Sequence, residues 1–264
     1  LSLNINANHF QITYYLMLMV SLFGLYFLIE SILERKIGIF FKASGVLIIA
    51  AGLAVIPNVS NLWSTYEYGK QTMRGGGSQL TEKKKASNGG LDYEYATRWS
   101  EGAGDFEWLS ILIPNIKGGA SGSELSTSSA SYKALNEKGV QSADNIIKRM
   151  PTYWGEQPGT SGPVYFGAAI FFLFVLGMFI VRSHIKWALF GISTFFFFLS
   201  FGHNTPFFTL FFDYLPMFNK FRTPAIALVI PQLCFPILAI LALNEIFTGK
   251  IKNDELQKKL MYAG

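Results

Sequence analysis

The feature that most constrains this chain is a set of long apolar runs, at residues 10–31, 37–57, 163–181, 187–201 and 224–247. All but the run at 187–201 are long enough to cross the ~30 Å hydrocarbon core of a bilayer as a helix. The exception is expected to span with help from its aromatic ends. Half of the residues are hydrophobic and only 15% are charged, which is far from the composition of a soluble domain. The sequence therefore predicts a mainly α, polytopic membrane protein with about five transmembrane helices.

The positions of Lys and Arg outside these runs predict the orientation. Three clusters flank the spans: Arg35, Lys36 and Lys42; Arg182 and Lys186; and Lys250, Lys252, Lys258 and Lys259. With five spans all three clusters fall on one side, which the positive-inside rule assigns to the cytoplasm. The N-terminus, the long segment 58–162 and the connection 202–222 are then expected to face outward.

The spans divide the chain into three parts. Residues 1–57 hold two spans, and residues 58–162 form an extracytoplasmic domain that is α-rich or mixed α and irregular, with flexible Gly/Ser loops. Residues 163–264 hold three spans, an outer interfacial helix near 206–217 and a cytoplasmic C-terminal tail. The chain begins without Met, a basic n-region or a cleavage site, and we expect it to be an internal piece of a longer protein.

Charge and composition exclude several function classes. The segment 58–162 carries as many acidic as basic residues, so it lacks the basic surface of a nucleic-acid-binding protein. The lone Cys234 rules out a disulfide within the chain. His9, His184 and His203 are far apart, no metal-ligand spacing is present, and no phosphate-binding loop occurs. The sequence therefore offers no metal-binding residues and leads us to expect no cofactor, and it leaves open whether the activity requires a metal.

The outer segment changes composition along its length. Residues 60–74 predict a helix near the membrane surface, with Ser60 as its N-cap. Residues 75–90 and 118–131 are rich in Gly and Ser, so they offer little apolar surface to offset the entropy cost of ordering, and we expect them to be irregular or mobile.

Between the two loops lies a stretch that is dense in aromatic and acidic residues, LDYEYATRWSEGAGDFEWLSILIPN. The rings of Trp99 and Trp108 are flat surfaces suited to sugars, whereas Glu101 and Glu107 could accept hydrogen bonds from hydroxyls or act as general bases. The alternative is that the aromatic side chains form a small core or pack at the membrane interface while the acids are solvated.

The connection before the last span contains two cations, Lys220 and Arg222, on the side opposite to the basic clusters. Lys220 has an ordinary interpretation as a residue that reaches the lipid headgroups. Arg222 precedes a Thr-Pro pair that opens the last helix, where its guanidinium and the free N–H groups of the first turn could jointly face a phosphate. An interfacial arginine bound to lipid headgroups would have the same sequence context.

The element YLPMFNKFRTP resembles the corresponding element of the YfhO-like bacterial membrane proteins. The segments ANHFQITYYL and WSEGAGDFEWLSILIPNIKGG and the turn from Gly202 to Pro206 are similar to segments of Bacteroidetes-type members, and the resemblance runs across nearly the whole chain. It adds His9, His203 and Asn204, which lie in these segments, to the candidate substrate-binding residues Arg222, Lys220, Trp99, Trp108, Glu101 and Glu107.

This resemblance implies a GT-C-type glycosyltransferase in the bacterial inner (cytoplasmic) membrane. Such an enzyme moves a sugar from a polyprenyl-phosphate carrier to a cell-envelope glycopolymer or lipid acceptor on the outer face. The expected partners are the lipid-linked sugar phosphate, the acceptor and membrane lipids, with no nucleic acid. In GT-C enzymes the catalytic Asp or Glu usually lies in the first outer loop, so we expect that carboxylate to lie outside this chain.

Two other functional classes compete with the enzyme. A transporter or lipid flippase should place charged residues and interrupted helices inside the spans. In this sequence Glu30 and Glu245 lie near span ends, which favours the enzyme. A non-catalytic membrane subunit with an outer interaction domain would fit the neutral, Ser-rich outer segment.

Overall fold

The computed structural model describes residues 1–72, 74, 90–102, 104, 107–162, 164–249 and 251–263, and in these residues the chain is mainly helical without a β-strand. The helices are α1 (Ser2–Asn6), α2 (Phe10–Leu33), α3 (Ile37–Val55), α4 (Val59–Lys70), α5 (Tyr93–Thr97), α6 (Ala130–Glu137), α7 (Ala143–Arg149), α8 (Ala168–Ile180), α9 (Ile185–Ser200), α10 (Pro206–Tyr214), α11 (Val229–Phe247) and α12 (Asn253–Ala263). Short 3₁₀ turns lie at Ile56–Asn58, Glu107–Ile111, Gly202–Asn204, Phe218–Lys220 and Pro224–Leu228.

Three of the described helices are long and apolar enough to cross a membrane. They are α2, the continuous helix Ile37–Lys70 that joins α3 to α4, and Pro224–Phe247, which contains α11. At the third and fourth predicted spans the chain forms α8, with 13 residues, and α9, with 16. At ~1.5 Å per residue these two helices extend about 20 and 24 Å, which is less than the ~30 Å hydrocarbon core.

The predicted helix at 60–74 is present, but its predicted N-cap is wrong. α4 continues α3 through the 3₁₀ turn at Ile56–Asn58. Because this helix is continuous, no free N–H groups need a cap, and Ser60 lies inside it. Asn58 stands at the junction between α3 and α4, and its Nδ2 donates a hydrogen bond to Ser2 Oγ at 3.0 Å.

The structure describes one of the two Gly/Ser-rich loops in full, and the prediction of irregular backbone can be checked there. Residues 118–129 form turns and irregular backbone before α6 begins at Ala130, which confirms the prediction for that loop. Residues 75–89 of the other loop lie outside the described residues.

The tightest packing in the apolar part joins α8 to α11. The rings of Phe174 and Phe235 stack with their centroids 3.9 Å apart and their planes 13° apart. At Gly177 the two helices come so close that a Cβ atom would lie 2.8 Å from Leu238 Cγ. A larger residue at 177 would therefore push α8 away from α11.

Helix α2 joins this core through Tyr15. The Tyr15 ring meets the fully buried Phe196 of α9 edge to face, with 5.7 Å between centroids. Gln11 Nε2 donates to the Tyr15 hydroxyl at 3.0 Å and to the Thr223 carbonyl at 3.3 Å. The N-terminal end of α2 is thus tied to the segment that opens α11. Helix α3, in contrast, buries none of its residues.

The interfacial helix predicted near 206–217 is α10, Pro206–Tyr214. Proline stands at its first turn, where a missing N–H costs nothing. Phe208 and Phe212 are buried, and Leu210 on the opposite face is exposed. The predicted helix is therefore present, with an apolar residue on its exposed face, and its position at the membrane surface stays a prediction.

Candidate functional site

A short segment before α11 pairs with the loop that follows α5. The Thr223 N–H donates to the Ala96 carbonyl at 2.9 Å, and the Ala225 N–H donates to the Trp99 carbonyl at 3.2 Å. Thr223 adopts φ +63°, a left-handed conformation that is unfavourable for a β-branched residue and persists only where the surroundings hold it. This pairing places Arg222 beside Trp99.

Both backbone polar groups of Glu101 are held by the end of α9 and the turn that follows it. The Glu101 N–H donates to the Ser200 carbonyl at 2.8 Å. The Asn204 side chain donates from Nδ2 to the Glu101 carbonyl, also at 2.8 Å. The position of Glu101 is therefore set by residues about a hundred positions away in the chain.

The turn at Gly202–Asn204 fits closely against Ser100. The His203 N–H donates to Ser100 Oγ at 3.2 Å, and His203 Nδ1 lies 3.0 Å from the Thr97 carbonyl oxygen. Gly202 has φ +50°, and a Cβ atom there would lie 1.9 Å from Ser100 Oγ, so a side chain is excluded. His203 and Asn204 thus position the loop that carries Glu101.

The carboxylate of Glu107 is enclosed by hydrogen bonds and by glycine backbone. The Tyr153 hydroxyl donates to Glu107 Oε1, and the Glu156 N–H donates to Oε2 at 3.1 Å. Cβ atoms at Gly102 and Gly155 would lie 2.3 and 2.0 Å from the carboxylate oxygens. Only glycine lets the backbone approach this closely at both positions.

An isolated antiparallel bridge between Gly118 and Tyr153 brings two further side chains to the site. The Gly119 N–H donates to the Thr152 carbonyl, and the Trp154 N–H donates to the Lys117 carbonyl, both at 3.0 Å. The bridge sets Lys117 and Tyr153 on neighbouring backbone segments.

These elements enclose a cavity of about 540 Å³. It is lined by Trp99, Glu101, Glu107, Ser110, Lys117, Tyr153, Gln157, Gly159, Thr160, Ser161, Gly162, Val164, Arg222, Thr223, Ala225 and Ile226. Four of the nine predicted substrate-binding residues, Trp99, Glu101, Glu107 and Arg222, therefore meet in one cavity. Its volume falls within the range of small-molecule sites.

Glu101 and Glu107 are both 4% exposed, but they lie in different environments. Gln157 Nε2 contacts Glu101 Oε2 at 3.5 Å, and Glu101 Oε1 accepts no hydrogen bond from any residue that the structure describes. Burial first, and then the nearby carboxylates of Glu107 and Glu156, together raise the pKa of the Glu101 carboxyl to about 7. Burial also raises the pKa of the Tyr153 hydroxyl, and its bond to Glu107 adds to that rise.

Arg222 forms the cationic side of the cavity. Its NH1 donates to the Tyr95 hydroxyl at 2.9 Å, and its guanidinium carbon lies 5.9 Å from the Tyr95 ring centroid and 5.8 Å from that of Trp99. In the part of the chain that the structure describes, no carboxylate forms an ion pair with it. The guanidinium is therefore held by aromatic rings.

The prediction that free N–H groups beside Arg222 could face a phosphate is wrong. The N–H groups of Thr223 and Ala225 donate to the Ala96 and Trp99 carbonyls, and the Ile226 N–H donates to the Thr223 carbonyl at 3.1 Å. The pairing of this segment with the loop after α5 uses the donors that a free helix start would expose.

Five of the nine predicted residues do not line the cavity. Two of them, His203 and Asn204, act through the loop that carries Glu101. Lys220 donates to the Arg74 carbonyl and lines a separate, mostly apolar groove of about 930 Å³ between α2 and α4. Trp108 packs edge to face against Phe197 of α9 at 6.4 Å. His9 precedes α2 and is exposed.

Sequence reasoning missed Lys117, Tyr153 and Gln157. The signal for the latter two is the stretch PTYWGEQPGTSG at 151–162, which combines aromatic, acidic and turn-forming residues directly before an apolar run, as the stretch around Trp99 does. Lys117 carries no such signal, since a single lysine in a Gly-rich loop is ordinary.

Comparison of the chain with protein-family models, curated proteins and solved structures finds no match. Among the described residues, no group of three or more His, Cys, Asp or Glu side chains could hold a metal ion.

Proposed function

We propose that the chain is part of a GT-C-type membrane glycosyltransferase, which moves a sugar from a polyprenyl-phosphate carrier to a cell-envelope acceptor on the outer face. The observation that carries the proposal is that one cavity is lined by a cation, an aromatic ring and two buried carboxylates. Sugar recognition uses rings for the faces of the sugar and carboxylates for its hydroxyls, and a phosphate needs the cation.

The proposed assignment of groups follows from their charge and position. Arg222 binds the donor phosphate, because its guanidinium is directed by Tyr95 and Trp99 without a paired carboxylate in the described residues. Trp99 contacts the sugar, and Glu107 accepts hydrogen bonds from sugar hydroxyls. In the reaction an acceptor oxygen bonds to the anomeric carbon while the bond from that carbon to the phosphate oxygen breaks.

The proposed topology has five spans in the bacterial cytoplasmic membrane, with α8 and α9 as the third and fourth. The cavity lies beyond the end of α9 and the start of α11, where Ser200 and Thr223 bind the loop around Glu101. The charged residues of the cavity thus lie outside the five apolar helices, which favours an enzyme of this class over a transport pathway through the spans.

Arg222→Lys is expected to lower sugar transfer about tenfold, and Arg222→Ala up to about a hundredfold. Lysine keeps the charge but loses the planar fork, whereas alanine removes a charge-assisted hydrogen bond of ~1.5 to 3 kcal/mol, at ~1.4 kcal/mol for each factor of ten. The measurement is transfer from polyprenyl-phosphate glucose, galactose or N-acetylglucosamine in membranes that contain the full protein at matched levels.

The control for Arg222 is Lys220→Ala, which removes a neighbouring cation that lines the other groove. This variant should transfer at the wild-type rate. Equal rates in all the variants would mean that Arg222 binds lipid headgroups and not the donor phosphate. If the wild-type protein transfers sugar from none of the three donors, the proposed function is refuted.

The topology makes its own prediction. In a Cys234→Ala background, Ser128→Cys is expected to react with an impermeant thiol reagent in intact cells, and His184→Cys only after permeabilisation. Both positions are exposed, so their reaction depends on the side of the membrane that they face. Reaction of His184→Cys in intact cells would contradict the five-span arrangement.

A further inference from the structure

We propose that Glu101 accepts the proton of the acceptor hydroxyl in this cavity, so that the general base lies within this chain and not, as the resemblance implies, in an outer loop beyond it. The inference rests on the proposed function and deepens it, since it names the group that removes the proton. In the step, the acceptor oxygen forms a bond to the anomeric carbon as its proton passes to Glu101 Oε1. The electron pair of the breaking C–O bond leaves on the phosphate oxygen, and Glu101 later releases the proton to solvent.

The geometry separates the roles of the two carboxylates. Each oxygen of Glu107 already accepts one hydrogen bond, from Tyr153 and from the Glu156 N–H, and Gly102 and Gly155 lie against the carboxylate. Its remaining lone pairs can accept sugar hydroxyls. Glu101 is equally buried, but its Oε1 accepts no hydrogen bond among the described residues, and the side chain lines the cavity. Of the two carboxylates, Glu101 therefore has the oxygen that is available to take a proton.

The position of Glu101 is also fixed as a base requires. Its backbone N–H and carbonyl are both bonded, to Ser200 and Asn204, so the carboxyl is presented from an anchored backbone. Proton transfer needs a heavy-atom approach of ~2.6 to 3.2 Å, which an anchored group reaches more reproducibly than one on a mobile loop.

The charged groups that act on the Glu101 carboxyl are Glu107 and Glu156. Tyr153, Lys117 and Arg222 line the same cavity, and His203 lies on the turn that packs against Ser100. Burial and the two acids hold the pKa of Glu101 at about 7. At neutral pH a large fraction of the protein therefore carries the ionised form that can accept a proton, and the group is basic enough to accept it.

The test is the pH dependence of transfer, measured in membranes with the three sugar donors used for Arg222. Glu101→Gln, which keeps the size but cannot accept a proton, is expected to lower the rate about a hundredfold or more. Glu107→Gln removes a neighbouring negative charge, so the acidic limb of its rate profile should move to lower pH. Glu124→Gln, an exposed loop carboxyl outside the cavity, should leave both the rate and the profile unchanged.

The outcomes separate the two proposals. Transfer by the wild-type protein together with an unchanged rate in Glu101→Gln would overturn the role of Glu101 and leave the proposed function standing. If the acidic limb of the rate profile stays at the same pH in Glu107→Gln, the role of Glu101 is also overturned. A variant that only damages the structure would lower the rate without moving this limb. Absence of transfer in the wild type overturns the function and the role together.

Discussion

The folded protein is expected to lose stability as the pH rises from about 4.5 to about 7, and Glu101→Gln is expected to remove most of that loss. The pKa of Glu101 rises from its ordinary value of 4.5 to about 7 on folding, so the fold favours the protonated carboxyl. Its contribution is fully present below about pH 4.5 and disappears as the pH passes 7. A shift of this size corresponds to on the order of 3 kcal/mol.

The measurement is thermal unfolding of the detergent-solubilised protein over this pH range, compared between wild type and Glu101→Gln. The contributions of ionisable groups that do not interact with Glu101 cancel in the difference between the two proteins. Glu124→Gln serves as the control, because its side chain is exposed and should give the wild-type curve. A difference that does not change with pH would show that the Glu101 carboxyl is solvated in the folded protein.

Phe196→Ala is expected to lower the free energy of unfolding by about 3 kcal/mol. Phe196 is fully buried and joins α9 to Tyr15 of α2, so alanine leaves a cavity that neighbouring side chains fill only in part. This loss of stability is at the lower end of the range for Phe-to-Ala changes. Lipid is as apolar as the protein core, so moving the Phe ring from the core into lipid costs less free energy than moving it into water.

The same unfolding assay checks this prediction against Phe198→Ala. Phe198 lies on the same helix but is 45% exposed, so its loss should cost well under 1 kcal/mol, as is usual for surface positions. Similar destabilisation by both variants would mean that α2 and α9 do not pack through Phe196 as described.

Much of the fold could be predicted from the sequence because apolar length and proline positions are local signals. Each of the five apolar runs coincides with a helix, and the three prolines at 206–224 predicted where α10 begins and ends. The N-cap at Ser60 failed because capping depends on whether a helix continues from the preceding residues. In this chain Asn58 stands in a 3₁₀ turn that links two helices, and the local pattern around Ser60 does not reveal that link.

The site could be predicted only in part, because its parts are joined by contacts that are distant in the sequence. Trp99, Glu101 and Glu107 fall in one dense stretch, and Arg222 stands out as a cation beside a span. Nothing local shows that Tyr153 bonds to Glu107 or that Asn204 bonds to Glu101. For the same reason the pairing of the Thr223 and Ala225 N–H groups could not be foreseen, since their acceptors lie more than a hundred residues earlier.

The bonds around Glu101 determine which piece of the chain can be handled as a unit. Residues 58–162 look in the sequence like a detachable domain, yet the N–H of Leu91 is bonded to Asn219 and that of Glu101 to Ser200. Expressed alone, this segment would keep both carboxylates while losing Arg222 from their cavity and the Ser200 and Asn204 groups that anchor the Glu101 backbone. Soluble fragments are therefore unsuitable for crystallisation or ligand screening aimed at this site, and the helices around it must be retained.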